Sequence, residues 1–378
     1  MAAGLILTGG GARAAYQAGV LKAISDQFPG FDYPFPIVCG SSAGALNAVG
    51  LAAGGEIFRH SIDKVESLWL HLTSKKVYHS GYWSVAKNMG QFVKGFMTGD
   101  GIDIPGSMFD AAPLRQLLET EVDFNQLNQN IKHHDIQAVS VTCCGYRSGQ
   151  SVSFFQGKEA LKGWSSGQRV GVRTTLTLDH LMASSAIPTI FPPVKINREY
   201  FGDGVVRNMS PLSPAVHLGA DRVLVVGVSA NTTTQAVRKA CTKQPKLPHI
   251  LEHVINGMFI DVVENDVAKI ELVNKLLKKS AKPEQVSEEL GLRFIETLVI
   301  NPSQPIDELA IKHIHRLPAP IRHFFGLNRG HVEGGVSLAS YLLFEGAFLK
   351  DLVRLGYRDA QKQAAEIETF FHHESNNH

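Results

Sequence analysis

The segment Gly40-Ser41-Ser42-Ala43-Gly44 carries the clearest chemical signal in the sequence, a serine framed two residues away on either side by glycine in the G-x-S-x-G pattern. It follows an apolar β-like run at Pro36–Cys39 and precedes an Ala-rich helical run at Ala45–Ala53. A sharp strand-to-helix turn lifts a hydroxyl into a cleft, and small flanking residues let the chain pass itself without clash. The glycine frame selects Ser42 over its neighbour Ser41. The following helix aims its first amides and its positive end at the point where negative charge develops as serine attacks an ester, with the Ala43 N–H as the natural donor.

An earlier glycine-rich turn, Thr8-Gly9-Gly10-Gly11-Ala12-Arg13, lies between an apolar run at Gly4–Thr8 and a helical run at Ala14–Ser25. Three chemistries compete with a plain tight turn there. A dinucleotide loop uses Gly9 and Gly11 but finds Ala14 where its third glycine belongs, and a nucleotide-phosphate loop lacks its Gly-Lys-Ser/Thr ending. An oxyanion hole would instead converge the amides of Gly9, Gly10 and Gly11 on one oxygen. Arg13 would add positive charge near a phosphate or carboxylate head group. Downstream, Phe201-Gly202-Asp203-Gly204-Val205 places an acid in a glycine-flanked turn that exposes a carboxylate; alone, such a pair is most often a β-turn. Of 16 histidines, His180 and His217 lie nearest Asp203 as candidates for a Ser-His-Asp triad, although His180 opens a helix-like run at His180–Ala186 and suits a capping role.

Taken in order, the Gly-Gly-Gly-x-Arg turn, the elbow serine and the later Asp-Gly resemble the patatin-like phospholipases. The likeness runs through Leu5–Leu21, Val38–Ala48, Ala183–Pro193 (ASSAIPTIFPP) and Tyr200–Pro211 (YFGDGVVRNMSP). It implies a three-layer α/β/α fold, a Ser42 nucleophile with Asp203 as its base, and oxyanion donors from Gly9, Gly10 and Gly11. It further implies hydrolysis of phospholipid or other acyl-lipid esters without a required metal or cofactor. Two departures are visible: Val205 stands where glycine or alanine usually follows Asp-Gly, and Ala14 replaces the glycine that often follows the arginine. A lipid acyltransferase and a catalytically silent lipid-binding or scaffolding protein are the competing expectations.

Repeated strand, turn and helix units argue for an α/β protein with a mostly parallel sheet. Further strands are expected at Ile136–Cys143, Val152–Phe155, Arg222–Val228 and Thr297–Ile300. The expected organisation is a catalytic core at 4–216 carrying a helical insertion at about 56–110, with strands and outer helices of 217–378 packed on the same domain. Phe58, Ile62, Val65, Trp69 and Leu72 mark one amphipathic helix in the insertion and Val85, Met89, Phe92 and Phe96 a second, which either pack on the core or form a lid facing lipid. His249–Lys279 and Leu338–Ala365 are expected as outer helices, with a polar connection at Ser280–Glu288 and a Pro- and His-rich loop at Pro302–His323.

With 378 residues and 44% hydrophobic composition the chain can bury a large core. A formal charge of +2 gives no field that would favour nucleic acid. Four scattered cysteines form neither a disulfide framework nor a zinc pattern, which fits a reducing, cytoplasmic setting. The first residues lack the features of a secretory signal or a myristoylation site, and no apolar run is long enough to span a bilayer. Any contact with a membrane is therefore expected to be peripheral, and export by a signal-independent route stays open.

Overall fold

Alternate residues of the first strand enter different cores, Leu5 and Leu7 one and Ile6 the other, as the two-residue period of a strand requires. In the computed structural model, which describes residues 2–55, 57–79, 107–230, 262–280, 282–324 and 335–372 with Gly257 and Leu327, this strand lies inside a ten-stranded sheet. The strands are β1 (Ala3–Leu7), β2 (Ile37–Ser41), β3 (Ala138–Gly145), β4 (Ser151–Gly157), β5 (Trp164–Ser166), β6 (Arg169–Arg173), β7 (Val194–Ile196), β8 (Glu199–Asp203), β9 (Arg222–Val226) and β10 (Glu296–Ile300). Their order is β10-β9-β1-β2-β3-β4-β6-β5, with β8 pairing both β3 and β7. From β10 to β3 every pairing is parallel, while β4 and β8 run antiparallel to β3.

Helices cover both faces, which makes three layers. The helices Ala15–Gln27, Ala43–Ala53, Phe58–Leu70 and Gly346–Lys362 bury Ala18, Val49, Ile62 and Leu352 in the larger core. The opposite core takes Ala215 from Ser213–His217 and Val263 from Val262–Lys279. Buried on both faces, the inner strands lack the apolar–polar alternation of a half-exposed strand, as the Val223–Val226 run of β9 illustrates.

Several boundaries differ from expectation for identifiable reasons. The expected loop 302–323 contains the helices Ile306–His313 and Ala319–Phe324. The first has Asp307 and Glu308 in its opening turn and Lys312 and His313 in its last, the arrangement that the helix dipole favours. The polar connection expected at 280–288 folds into the Pro283–Leu290 helix, begun by Pro283 and stopped by Gly291 in the left-handed region at φ 62°. The helix expected over 338–365 is broken at Leu343–Glu345 and continues past 365 as Ala364–His372. In the insertion, Phe58, Ile62, Val65 and Trp69 pack into the larger core. The second amphipathic stretch, from Val85 to Phe96, lies outside the described residues, as does most of 249–261.

Candidate active site

Strand β2 ends at Ser41 and the Ala43–Ala53 helix starts at once, leaving Ser42 alone at the corner with φ 54° and ψ −134°. A positive φ is strained for a serine, by about 1–3 kcal/mol, and persists only where surrounding contacts fix it. Here the Ser42 N–H donates to Ser184 Oγ at 2.9 Å, and that hydroxyl in turn donates to the Thr142 carbonyl at 2.7 Å. Gly44 is required by close approach, since a Cβ there would collide with the Leu7 carbonyl oxygen. Ser41 and Ser42 point apart. Ser41 lines a small cavity with Gly9, Gly40 and Thr142, whereas Ser42 lines a larger apolar cavity with Gly11, Ala43 and Leu46.

Strand β3 joins the two halves of the site. Its Thr142 stands opposite Ser41 in the parallel pairing with β2, and its Cys143 stands opposite Asp203 in the antiparallel pairing with β8. Because β4 occupies the other edge of β3, the tips of β2 and β8 meet along one edge at adjacent residues, and the Ser42 hydroxyl donates to Asp203 Oδ2 at 2.6 Å. Asp203 is not displayed in an exposed turn as expected. It ends β8 and is 1% exposed, and the following Gly204 passes so close to the Thr142 carbonyl that any Cβ would clash. Its Oδ1 accepts the Val205 N–H at 3.0 Å, a backbone bond indifferent to the valine side chain. Burial pushes the carboxyl up to about 7, against the opposing pull of the Ser42 hydroxyl and the Val205 amide. A buried carboxylate of that basicity, bonded to a strained serine at a helix N-terminus, suits general-base activation of a hydroxyl near neutral pH.

The sequence pattern of patatin-like phospholipases matches residues 5–216, more than half of the chain and the stretch that holds both side chains. The chain belongs to the patatin-like phospholipase family. Among curated proteins none matches in sequence. Two solved structures align over 97% of this patatin-like chain. VipD from Legionella pneumophila does so at 13% identity, over 67% of its own length, with a TM-score of 0.36. The chain of the heterodimeric ExoU-SpcU complex from the type III secretion system of Pseudomonas aeruginosa does so at 15% identity, over 70% of its length, with a TM-score of 0.28. Membership supports lipid hydrolysis and a lipid substrate for this protein.

The remaining candidate residues of this patatin-like phospholipase divide by location. Gly11, at φ 53°, and Ala43 share the Ser42 cavity; Gly10 packs on Val228, and Gly9 faces the smaller cavity beyond Ser41. Among the described residues the amides of Gly9, Gly10 and Gly11 donate to no protein acceptor. Arg13 is placed differently from the head-group role expected for it. It is 3% exposed, its Nε donates to Ser340 Oγ at 2.6 Å and its Nη2 to Asp307 Oδ1 at 2.6 Å and Ser337 Oγ at 2.8 Å. Its guanidinium lies 4.1 Å from the Tyr341 ring centroid. The arginine thus ties the glycine turn to C-terminal helices.

Neither candidate histidine bonds to Ser42 or Asp203 among the described residues. His180 caps its own helix through Thr177 and packs edge-on against Phe154, and burial lowers its basicity. His217 bonds to the Ser213 carbonyl and stacks on Trp164. Ser184, by contrast, carries no local signal of its role. It lies inside the ASSAIP segment but meets Ser42 only through the fold. The described residues contain no cluster of His, Cys, Asp and Glu suited to a metal ion, and no helix long and apolar enough to cross a membrane.

Proposed function

We propose that this protein hydrolyses fatty acyl esters of phospholipids or related lipids through a Ser42–Asp203 dyad, with Gly11 and Ala43 supplying oxyanion donors. The observation that carries this reading is the 2.6 Å hydrogen bond to a buried carboxylate from Ser42, which itself lines an apolar cavity. Asp203 accepts the Ser42 proton as Oγ adds to the ester carbonyl. The tetrahedral oxyanion collapses with loss of the lipid alcohol, which takes up that proton, and leaves acyl-Ser42. Asp203 then deprotonates a water that attacks the acyl-enzyme, and the free acid leaves as Ser42 regains its proton. A single oxyanion donor is worth about 3–4 kcal/mol in comparable acyl transfer, so the Gly11 and Ala43 amides offset the weakness of a carboxylate base.

The catalytic unit extends beyond residue 216 in this reading, because β9 adjoins β1 and the Arg13 anchor comes from 307–341. A fluorophosphonate probe tests the nucleophile directly. The wild type is expected to label and to hydrolyse a phospholipid panel, and folded Ser42→Ala to do neither. Labelling or near wild-type hydrolysis by Ser42→Ala would remove Ser42 from the mechanism.

A further inference from the structure

The Ala43–Ala53 helix and the residue that follows it contain three glycines, of which Gly50 and Gly54 line the Ser42 cavity, and two of the three have a backbone clash that requires glycine. A side chain at Gly44 would strike the Leu7 carbonyl, and one at Gly54 would lie 2.7 Å from the Cα of Ser61. Gly50 is less constrained: a Cβ there would press on the Val65 Cγ2 methyl at 3.3 Å, which must give by a few tenths of an ångström, but would meet no backbone of another element. Glycine is the poorest helix former after proline, so a helix-interior glycine with no backbone clash to demand it calls for a further explanation.

Gly50 lines the same cavity as Ser42, and the other walls there are Leu46, Leu68, Trp69 and Leu118. The one polar lining side chain on this helix, Asn47, is fully engaged with protein, donating to the Ala14 carbonyl and Gln17 Oε1 and accepting from Trp69 Nε1. The cavity therefore offers an apolar guest no competing polar contact from that side chain. Lys64, adjacent to Val65, also lines it and is exposed, so the end beside Gly50 reaches solvent. Eight residues of helix separate Ser42 from Gly50, about 12 Å along the axis. A fully extended chain advances about 3.3–3.6 Å for every three bonds, so a linear acyl group on Ser42 would pass Gly50 at roughly its tenth carbon.

We infer that Gly50 determines acyl-chain length, its missing side chain leaving a tunnel between the Ala43–Ala53 and Phe58–Leu70 helices for one long unbranched chain. This rests on the dyad reading above and adds to it a substrate class, lipids with acyl groups longer than about ten carbons. The test compares wild type, Gly50→Ala and Gly50→Leu by the ratio of kcat/KM for hexadecanoyl and butanoyl p-nitrophenyl esters. Gly50→Leu is expected to lower that ratio by about 15-fold or more, the worth of two buried methylenes, and Gly50→Ala to lower it less. A ratio kept within about twofold in folded Gly50→Leu overturns the inference. A second arm needs no turnover: calorimetric binding of hexadecanoate and octanoate to Ser42→Ala with and without Gly50→Leu. Preferential loss of hexadecanoate binding supports the tunnel even if no ester is cleaved, a result that would sink the dyad alone. Equal binding of both acids in the two proteins overturns the tunnel while leaving the dyad intact.

Discussion

Replacing Asp203 by asparagine separates what this carboxyl does for chemistry from what it costs the fold. Its basicity rises from the ordinary 3.8 to about 7 because it is buried, and it is 1% exposed, so solvent screening removes little of the effect. Three pK units correspond to about 4 kcal/mol. The folded pKa is raised above the unfolded one, so the folded chain holds the proton more tightly. The associated stability is fully present below pH 3.8, falls as pH rises, and is lost above about 7. Asparagine has no such titration and can still accept the Val205 N–H and bond to Ser42. Thermal melts from pH 4.5 to 8.5 should therefore show the wild type losing stability relative to Asp203→Asn as pH rises. At pH 8 the variant should melt about 2–5 °C higher, allowing some of the gain to be lost in reorganised hydrogen bonds. Ester hydrolysis should move the opposite way, falling about a thousandfold or more, and the wild-type kcat/KM should rise with pH to a plateau above about 7. An Asp203→Asn protein that melts lower than wild type at pH 8 would refute the burial argument. One that retains activity would refute the base assignment.

Ser184→Ala would leave the Ser42 N–H and the Thr142 carbonyl without their shared partner, in a site that holds Ser42 at positive φ. Urea denaturation should register a loss of about 2 kcal/mol and hydrolysis a lower kcat with KM little changed; unchanged kcat would show that Ser184 does not position the nucleophile. Arg13→Gln strips a buried charge from Asp307 and from Ser337 and Ser340. With Asp307 left partly in solvent and the loss confined to the buried serine contacts, it should cost about 2 kcal/mol in the same denaturation assay and lower kcat equally for esters with charged and neutral head groups, whereas a selective loss on charged head groups would restore the lipid-facing role to Arg13.

The corner that holds Ser42 was legible in sequence because everything that makes it is local. An apolar strand, two close-approach glycines and an Ala-rich helix dictate a sharp corner within about a dozen residues, and the structure places Ser42 at that corner. The alternation of strand and helix likewise announced a mostly parallel sheet, since its periodicities are written in consecutive residues. The short helices within 302–323 and the break at Leu343–Glu345 were less readable, because their apolar faces are decided by what they pack against.

Asp203 and Arg13 mark where sequence alone stopped. An Asp-Gly pair reads as a surface turn, and the family likeness suggested a role but gave no physical reason for the carboxyl to be basic. That reason is tertiary: on one edge of β3, β2 ends opposite Thr142 and β8 takes over at Cys143, with β4 on the other edge, which brings Asp203 against Ser42 across 161 residues and buries it there. Arg13 carried the charge expected of a head-group ligand, yet Asp307, Ser337 and Ser340 lie some 300 residues away in sequence and turn its guanidinium inward. Local spacing fixes the shape of a turn, but the basicity of a carboxyl and the direction of a long side chain depend on desolvation and partners that only the folded chain assembles.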